Sequence, residues 1–389
     1  MFRRRPLHLL LPPALAALLA CATLAAAQPS RPLWPGSRFT EADRALSVRR
    51  GLEFVYRTAL DEDNFRLYGS DYLWCFYTVG ESVSDPGVRR EARRMGVERA
   101  RLWLKLHRTL PRDADAQTVS DFAFGADAAS GLGFRDEHLK ARVRRAAARF
   151  GPRDFLLFDP ANESPPADVP DECDLDGVRN ARGAKACRAC RRPLKMRTPQ
   201  DVWYDALITT YVGERYGVRL GASYGEVLRW LPSLRPYRAA DPAAPDGGPG
   251  FYDTVYALTH VVYTLNDYGL YTLSPRLLAP EYEFLRANLR EAVRQRDADM
   301  LGEFMDSLRA FGLDERDPAM RAGVEYLLAN QNADGSWGDT KERDIYLRYH
   351  PTWNGVAALS RYRWRGPSPR LRKYRHLLHD NPDTEHERL

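Results

Sequence analysis

Hydrophobic residues recur at three- and four-residue spacing along most of the chain, which is the period of an amphipathic α-helix. Gly, Pro and Asp punctuate the gaps between these segments, and the period-two alternation of a half-buried strand is scarce. The pattern predicts an all-α protein of about ten helices. The clearest helical segments are residues 47–56, 88–107, 136–149, 199–216, 252–268, 281–295, 297–311, 319–330 and 352–362.

Two stretches interrupt the periodicity. Residues 158–198 are polar and hold three cysteines, and residues 236–250 form a loop rich in Pro, Gly and Ala. We expect one domain over residues 40–365, with residues 158–198 as a Cys-rich insertion and residues 366–389 as a charged, frayed tail.

The first 27 residues have the pattern of a targeting segment. Arg3, Arg4 and Arg5 precede a short apolar run of small residues that ends at Ala27, as in a cleavable secretory signal peptide. The alternative is a lipoprotein signal, because residues 18–21 (LLAC) resemble a bacterial lipobox that would leave a lipid on Cys21. Both predict an extracytoplasmic protein, periplasmic or secreted, and the lipoprotein alternative adds contact with a membrane through a lipid on Cys21.

The charge of the chain argues against a nucleic-acid partner. The formal net charge of +6 falls to +3 once the three arginines of the targeting segment are subtracted. The remaining arginines alternate with Asp and Glu and form no long basic block. A small-molecule or peptide ligand is the expected partner.

Four cysteines remain after Cys21: Cys75, Cys173, Cys187 and Cys190. An even number in an exported chain favours disulfides, with at least one bond in the insertion. Two alternatives stay open. The three cysteines of the insertion could bind a metal, or the CxxC pair could act in redox chemistry.

A motif near the end of the chain points to a fold. The stretch RAGVEYLLANQNADGSWGD, residues 321–339, places Gln331, Gly335 and Trp337 at fixed intervals behind a short amphipathic helix, and a fainter copy begins at Arg49 (RRGLEFV). It resembles the QW repeat of the terpenoid cyclase and prenyltransferase superfamily. Residues 343–360 (RDIYLRYHPTWNGVAALS) resemble the segment of that superfamily in which a Tyr-His pair opens the next helix.

The resemblance implies an (α/α) toroid, in which six outer and six inner helices alternate around a central cavity. It also implies that Gln331 bonds backbone groups at a helix end and that Trp337 stacks on it. The chemistry of the superfamily is not implied, because the sequence departs from its patterns. The Asp-x-Asp of residues 174–176 lies in the insertion, and no Asp-x-Cys precedes His350 in a comparable place.

One segment has a polar stripe suited to chemistry. Asp253, His260 and Asp267 are seven residues apart and would share one face of a helix, with Tyr263 beside them. We interpret His260, Asp253, Asp267 and Tyr263 as candidate catalytic residues. His350 would join His260 across the ring, and the two histidines are candidate ligands of a divalent metal, whose identity stays unknown. The alternative is that His260 makes a structural hydrogen bond.

Two aromatic segments with carboxylates could be core or could line a ligand site. They are the segment with Asp71, Tyr72, Trp74 and Tyr77, and the segment with Asp201, Trp203, Tyr204 and Asp205. Two hypotheses of function follow. The protein is an enzyme with a His-, Asp- and Tyr-lined cavity, or a non-catalytic binding or scaffold protein.

Overall fold

The structure, a computed structural model, describes residues 31–173, 175, 178, 180–244 and 246–378. The targeting segment and Cys21 lie outside these residues. Helices, including two short 3₁₀ segments, take up 59% of the described residues, which contain no strand. The prediction of an all-α fold is confirmed. Within the described part of the chain, no helix is both long enough and apolar enough to cross a bilayer.

The described residues form fourteen α-helices. They are α1 (Glu41–Leu60), α2 (Glu62–Ser82), α3 (Pro86–Leu106), α4 (Ala116–Gly131), α5 (Glu137–Ala147), α6 (Pro152–Leu156), α7 (Pro199–Tyr216), α8 (Tyr224–Leu228), α9 (Phe251–Leu265), α10 (Ala279–Gln295), α11 (Ala298–Ala310), α12 (Pro318–Ala329), α13 (Tyr346–Leu359) and α14 (Pro369–Tyr374); the 3₁₀ segments are Leu231–Leu234 and Arg375–Leu377.

Six helices form a closed cycle of neighbours. Helix α2 packs against α4, α4 against α7, α7 against α9, α9 against α11, α11 against α13, and α13 against α2. Other helices lie against these six: α1 contacts α13 and α2, α3 contacts α2 and α4, α10 contacts α9 and α11, and α12 contacts α11 and α13. Every helix of the cycle contributes side chains to one cavity.

The helix starts follow from local sequence. Thr40 forms a capping box with Asp43 at the start of α1. Asp85 and Asp317 accept backbone N–H groups at the starts of α3 and α12, and each is followed by a proline in the first turn. Such a proline loses no hydrogen bond there, because the first N–H groups of a helix have no partner within the helix. These local signals set where the helices begin.

The Gln331–Trp337 stretch ties the end of α12 to α1. The Gln331 side-chain amide donates to the carbonyls of Ser47, 2.8 Å away on α1, and of Gly335, 3.0 Å away. Its carbonyl accepts from the Ser47 hydroxyl at 3.0 Å. The buried Trp337 indole donates to the Leu327 carbonyl at 2.9 Å, within the last turn of α12. Trp337 therefore satisfies the helix-end carbonyl, and Gln331 joins two helices that are distant in sequence.

Replacing Gln331 with Ala should lower the free energy of unfolding by about 1–3 kcal/mol, because it leaves buried backbone and hydroxyl groups without partners. Denaturant unfolding measures the change. Asn330→Ala is the matched control: its amide donates to the Tyr326 carbonyl of its own helix from an exposed position, so a change within about 0.5 kcal/mol is expected. Equal losses in the two variants would contradict the proposed role of Gln331.

The two copies of the repeat make similar close contacts. A Cβ on Gly51 of α1 would lie 2.6 Å from Val356 of α13, and one on Gly323 of α12 would lie 2.4 Å from the sulfur of Met305 on α11. In each case the glycine lets a helix approach a member of the six-helix cycle closely. The glycines of the two copies therefore have similar packing environments.

The predicted insertion and tail have different outcomes. Between α6 and α7 the described residues contain no helix, as expected, and isolated bridges join Pro170 to Met196 and Ala186 to Pro193.

The tail was wrongly predicted to fray over residues 366–378. That part forms α14 and buries Leu371 and Leu378, and the Tyr374 ring packs against Tyr224 of α8 with centroids 5.2 Å apart. Residues 379–389 lie outside the described part.

Candidate functional site

A cavity of about 1300 Å³ lies among the six helices of the cycle. Aromatic rings make up much of its wall. They belong to Phe65, Tyr68, Trp74, Trp103, Phe122, Phe124, Phe155, Tyr204, Tyr263, Tyr268, Tyr346, Trp353 and Tyr362. The insertion forms part of the same wall through residues 169–172, 180 and 197. The cavity is therefore large enough for a small-molecule ligand.

His350 lines the cavity from α13 and is held by a carboxylate. Its Nδ1 lies 2.8 Å from Oδ1 of Asp299 on α11, and its ring stacks on Tyr346 with centroids 4.9 Å apart. Burial lowers the pKa of His350, but the Asp299 charge and hydrogen bond outweigh it and raise that pKa to about 9. The imidazole is therefore cationic at neutral pH, and its Nε2 carries a proton.

His260 lines the same cavity from α9 in the opposite protonation state. Its Nδ1 lies 2.7 Å from the Tyr256 carbonyl, so Nδ1 carries the proton and the lone pair is on Nε2. Its ring stacks on Tyr204 at 5.0 Å and makes an edge contact with Tyr263 at 5.7 Å. Burial lowers the pKa of His260 to about 4. His260 is therefore a neutral hydrogen-bond acceptor at neutral pH.

Glu303 lies between the two histidines, one helical turn after Asp299. The Thr259 hydroxyl donates to its Oε2, and Nδ1 of His260 is 4.0 Å from the same oxygen. The Asn354 amide reaches its other oxygen at 3.4 Å. Burial and the charge of Asp299 raise the pKa of Glu303 to about 8. At neutral pH this carboxyl group is mostly protonated and can donate a hydrogen bond.

Asp299 is the charged carboxylate of the cluster. It accepts hydrogen bonds from His350, from the Tyr256 hydroxyl at 2.8 Å and from the Asn354 amide at 2.8 Å. Burial raises the pKa of Asp299, but the positive charge of His350 and these donors outweigh it and lower the pKa below its ordinary value. Asp299 is not among the residues that line the cavity, so its contact with His350 is a positioning contact.

The site holds both a proton donor and a proton acceptor. Each histidine uses Nδ1 for a contact within the protein, which leaves Nε2 to reach a bound molecule. The His260 and His350 side chains are 14% and 15% exposed, so both can be contacted from the cavity. Groups whose environments push their pKa values apart are the arrangement that acid–base chemistry needs.

The structure brings together part of the predicted site. His260, His350 and Tyr263 all line the cavity, whereas Asp253 and Asp267 do not. The two histidines lie on α9 and α13, which both contact α11, and each approaches one of its acids. His350 contacts Asp299, and His260 lies 4.0 Å from Glu303.

Asp267 does not share the helix face of His260. Helix α9 ends at Leu265, and Asp267 follows it with a left-handed φ of 52°. There it accepts from the Tyr211 hydroxyl at 3.1 Å and lies 3.5 Å from Nε of Arg370. Residues seven apart share a helix face only within the helix, and Asp267 lies beyond the end of α9. Asp253 remains in the first turn of α9, about two turns from His260.

Sequence reasoning missed Asp299, Glu303 and Asn354. A signal was present in α11, ADMLGEFMDSLRA, where Asp299, Glu303 and Asp306 are four and three residues apart in an otherwise apolar helix. That spacing places the three acids on one face. Burial raises the pKa of Asp306 to about 6, so the whole stripe has an unusual environment.

The predicted metal role of His260 and His350 stays a prediction. Among the described residues, the one group of three or more ligands with metal-binding proximity consists of Cys173, Cys187 and Cys190. It includes neither histidine. A cationic His350 also has no lone pair to offer a metal.

Residues 243–358 match a family described as a domain of unknown function, DUF6895. The matched segment contains α9 to α12 and nearly all of α13, and so carries both histidines, Asp299, Glu303 and Asn354. No curated protein and no solved structure matches the chain.

Proposed function

We propose that the chain is an (α/α) toroid of the kind found in the terpenoid cyclase and prenyltransferase superfamily. The cycle of six neighbouring helices around one cavity supports this architecture, and α1, α3, α10 and α12 each pack against two consecutive members of the cycle. The Gln331 contact with Ser47 also suits a toroid, because it joins the last part of the chain to the first helix. Residues 1–27 support export, as a secreted protein or as a lipoprotein.

We infer that the cavity belongs to an acid–base enzyme. The observation that carries this inference is that two imidazoles face one cavity, each with its Nδ1 anchored inside the protein, by Asp299 in one case and by a backbone carbonyl in the other. The non-catalytic alternative would be favoured by a lack of converging polar groups around His260. Glu303 and Thr259 instead meet beside it.

The reaction that fits is a proton shift between adjacent atoms of one substrate. Neutral His260 would remove a proton from a carbon next to a carbonyl group, while cationic His350 would donate a proton to the carbonyl oxygen. When that carbon carries a hydroxyl group, the intermediate is an enediol. His260 then returns its proton to carbon while one hydroxyl proton passes to His350 and a carbonyl group re-forms. Return of the proton to the former carbonyl carbon gives the isomer, and return to the original carbon on its other face gives the epimer. Asp299 would stabilise the charge of His350, and neutral Glu303 would donate a hydrogen bond.

The wall of the cavity indicates the class of substrate. It carries nine carboxyl groups and two arginines; the acids are Asp71, Asp121, Asp154, Asp171, Glu172, Asp201, Asp205, Glu303 and Asp306, and the arginines are Arg66 and Arg197. This balance of charges repels phosphate and diphosphate groups and so disfavours prenyl diphosphates.

The wall also offers hydrogen-bonding groups to a ligand. The hydroxyl of Tyr263 is buried and has no hydrogen-bond partner in the described part of the chain. Aromatic faces and many hydrogen-bonding groups suit a neutral, hydroxylated molecule such as a sugar.

A solvent-exchange screen tests the proposal whichever isomer or epimer is the product. Purified protein is incubated in D₂O with neutral aldoses, ketoses and 2-acetamido sugars, and deuterium on carbon is measured by mass spectrometry and NMR. We expect incorporation next to the carbonyl carbon for at least one neutral sugar. The matching sugar phosphate, as a charged control, should exchange at least about tenfold more slowly, a difference of about 1.4 kcal/mol.

His260→Asn is the control for the catalyst, because it keeps a polar side chain but removes the basic Nε2. Exchange that persists in this variant would contradict the assignment of His260 as the base. Folded wild-type protein could instead bind a sugar of the panel without exchanging it. Binding would quench the fluorescence of Trp74 and Trp353 in the cavity wall. That result would favour the hypothesis of a non-catalytic binding protein.

A further inference from the structure

The insertion between α6 and α7 gathers three thiols at one point. The Sγ atoms of Cys173, Cys187 and Cys190 all lie within 4.8 Å of one another, and those of Cys173 and Cys190 are 3.4 Å apart. Cys173 and Cys187 are buried, with exposed fractions of 3% and 0%. Three soft sulfur ligands facing one point form a donor set for a thiophilic metal ion.

The backbone around Cys187 is shaped to support a thiolate. The Ala189 N–H donates to Sγ of Cys187 at 3.4 Å, and the Cys190 N–H is directed at the same sulfur. Arg191 closes the turn with a left-handed φ of 65°, and its N–H donates to the Cys187 carbonyl at 2.9 Å. This turn brings the two cysteines of the CxxC pair to the same side. N–H groups aimed at sulfur stabilise the negative charge that a metal-bound thiolate carries.

Disulfides account for the cluster less completely. In this structure no disulfide joins the four described cysteines, and an S–S bond of about 2.05 Å is much shorter than the observed 3.4 Å. One disulfide would use two sulfurs of the cluster and leave the third over. Cys75, the other described cysteine, is buried in the hydrophobic core on α2 and is not a member of the cluster. A metal ion uses all three sulfurs.

We propose that Cys173, Cys187 and Cys190 bind one divalent thiophilic cation, for which Zn²⁺ is the best match. Zn²⁺ takes thiolate ligands in a tetrahedral arrangement, so the three sulfurs supply three of its four positions and water or another ligand supplies the last. Binding converts three thiols to thiolates and releases three protons. The bound site has a net charge of −1, and Arg188, Arg191 and Arg192 follow the first ligand of the CxxC pair closely in sequence, where their charges offset it.

The site would fix one wall of the cavity. Asp171 and Glu172 line the cavity immediately before Cys173, and Arg197, which also lines it, follows the cluster. Arg197 in turn forms ion pairs with Asp201 and Asp205 at the start of α7. The described residues between Cys173 and Cys190 contain no helix and, Cys187 apart, no buried residue. A metal ion that crosslinks residues 173 and 190 would therefore replace the missing core. This role is structural and does not depend on the proposed acid–base function.

Metal analysis of the full chain tests the site. The protein is produced with its targeting segment, recovered from the compartment to which that segment directs it, and purified without chelator. We expect about one equivalent of Zn²⁺ per chain by elemental mass spectrometry. After exchange for Co²⁺, we expect the sulfur-to-cobalt charge-transfer band and the visible bands of a tetrahedral thiolate site.

Three variants, Cys173→Ser, Cys187→Ser and Cys190→Ser, should each lose the metal and the cobalt bands. Cys75→Ser is the matched control, because it removes a buried thiol outside the cluster, and it should keep both. Each variant is checked for folding by far-ultraviolet circular dichroism, and metal is counted per folded chain. Cys75→Ala replaces the control if the serine variant does not fold.

Two results would overturn the proposal. One is folded wild-type protein without metal above the buffer background, and the other is a disulfide within the cluster, detected by mass spectrometry of the unreduced protein. Metal content is measured without any substrate, so this outcome is separate from success or failure of the exchange screen.

Discussion

Replacing His350 with Gln is expected to lower the rate of deuterium exchange by about 10²- to 10⁴-fold, the usual contribution of a general acid. The reason is that Gln keeps a polar side chain but cannot carry the proton that the Asp299 contact holds on His350 at neutral pH. The measurement is kcat for exchange into the neutral sugar that the screen identifies. KM should change far less, because the lost interaction forms mainly in the transition state.

His107→Gln is the matched control for this prediction. His107 also lines the cavity, but it stacks on Trp103 at 4.2 Å and its Nδ1 contacts the Trp103 carbonyl of its own helix. Its replacement should leave kcat within a few-fold of wild type. NMR of the imidazole nitrogens gives a readout without substrate, in which His350 should stay cationic to about pH 9 and His260 neutral down to about pH 4. Similar losses of kcat in the two variants would argue against His350 as the acid.

Replacing Glu303 with Gln is expected to change how stability depends on pH. Burial and the Asp299 charge raise the pKa of Glu303 from 4.5 in an ordinary environment to about 8 in the folded protein. A raised folded-state pKa means that the stabilising contribution is complete below the unfolded pKa and is lost as pH rises through the folded pKa. Between these values, wild type should lose up to about 1.4 kcal/mol per pH unit relative to the Gln variant, which mimics the protonated carboxyl.

Urea unfolding of both proteins at a series of pH values measures this difference. Asp306→Asn is a useful comparison on the same helix, because burial raises the pKa of Asp306 only to about 6. Its difference from wild type should therefore develop at lower pH, between 3.8 and about 6. Parallel stability curves for wild type and Glu303→Gln between pH 5 and 8 would refute the raised pKa of Glu303.

Sequence periodicity identified most of the long helices and overlooked two of those that surround the cavity. Helices α2 and α4 were not predicted as helices, and each contains five consecutive buried residues, at positions 72–76 and 125–129. A helix buried on most sides has a weaker polar face from which an amphipathic period is recognised, although α11, which is buried over residues 300–310, was predicted. The same burial makes these helices members of the six-helix cycle.

The sequence by itself determined the all-α class, the presence of a polar insertion between two helical regions, and the Gln331–Trp337 turn. These depend on local spacing, caps and turn chemistry, which a single segment carries. It also pointed to His260 and Tyr263 through the polar stripe of residues 253–267, and to His350 through the resemblance of its Tyr-His segment.

Only the tertiary structure decided which groups meet. Asp299 reaches His350, and Glu303 approaches His260, because α9 and α13 lie on the two sides of α11. The sequence offered Asp253 and Asp267 for this role, yet the end of α9 at Leu265 sends Asp267 to another partner. Protonation states also could not be predicted from the local sequence, because they depend on burial and on charges contributed by separate helices. Two histidines of the same residue type therefore acquire opposite charge states in one cavity.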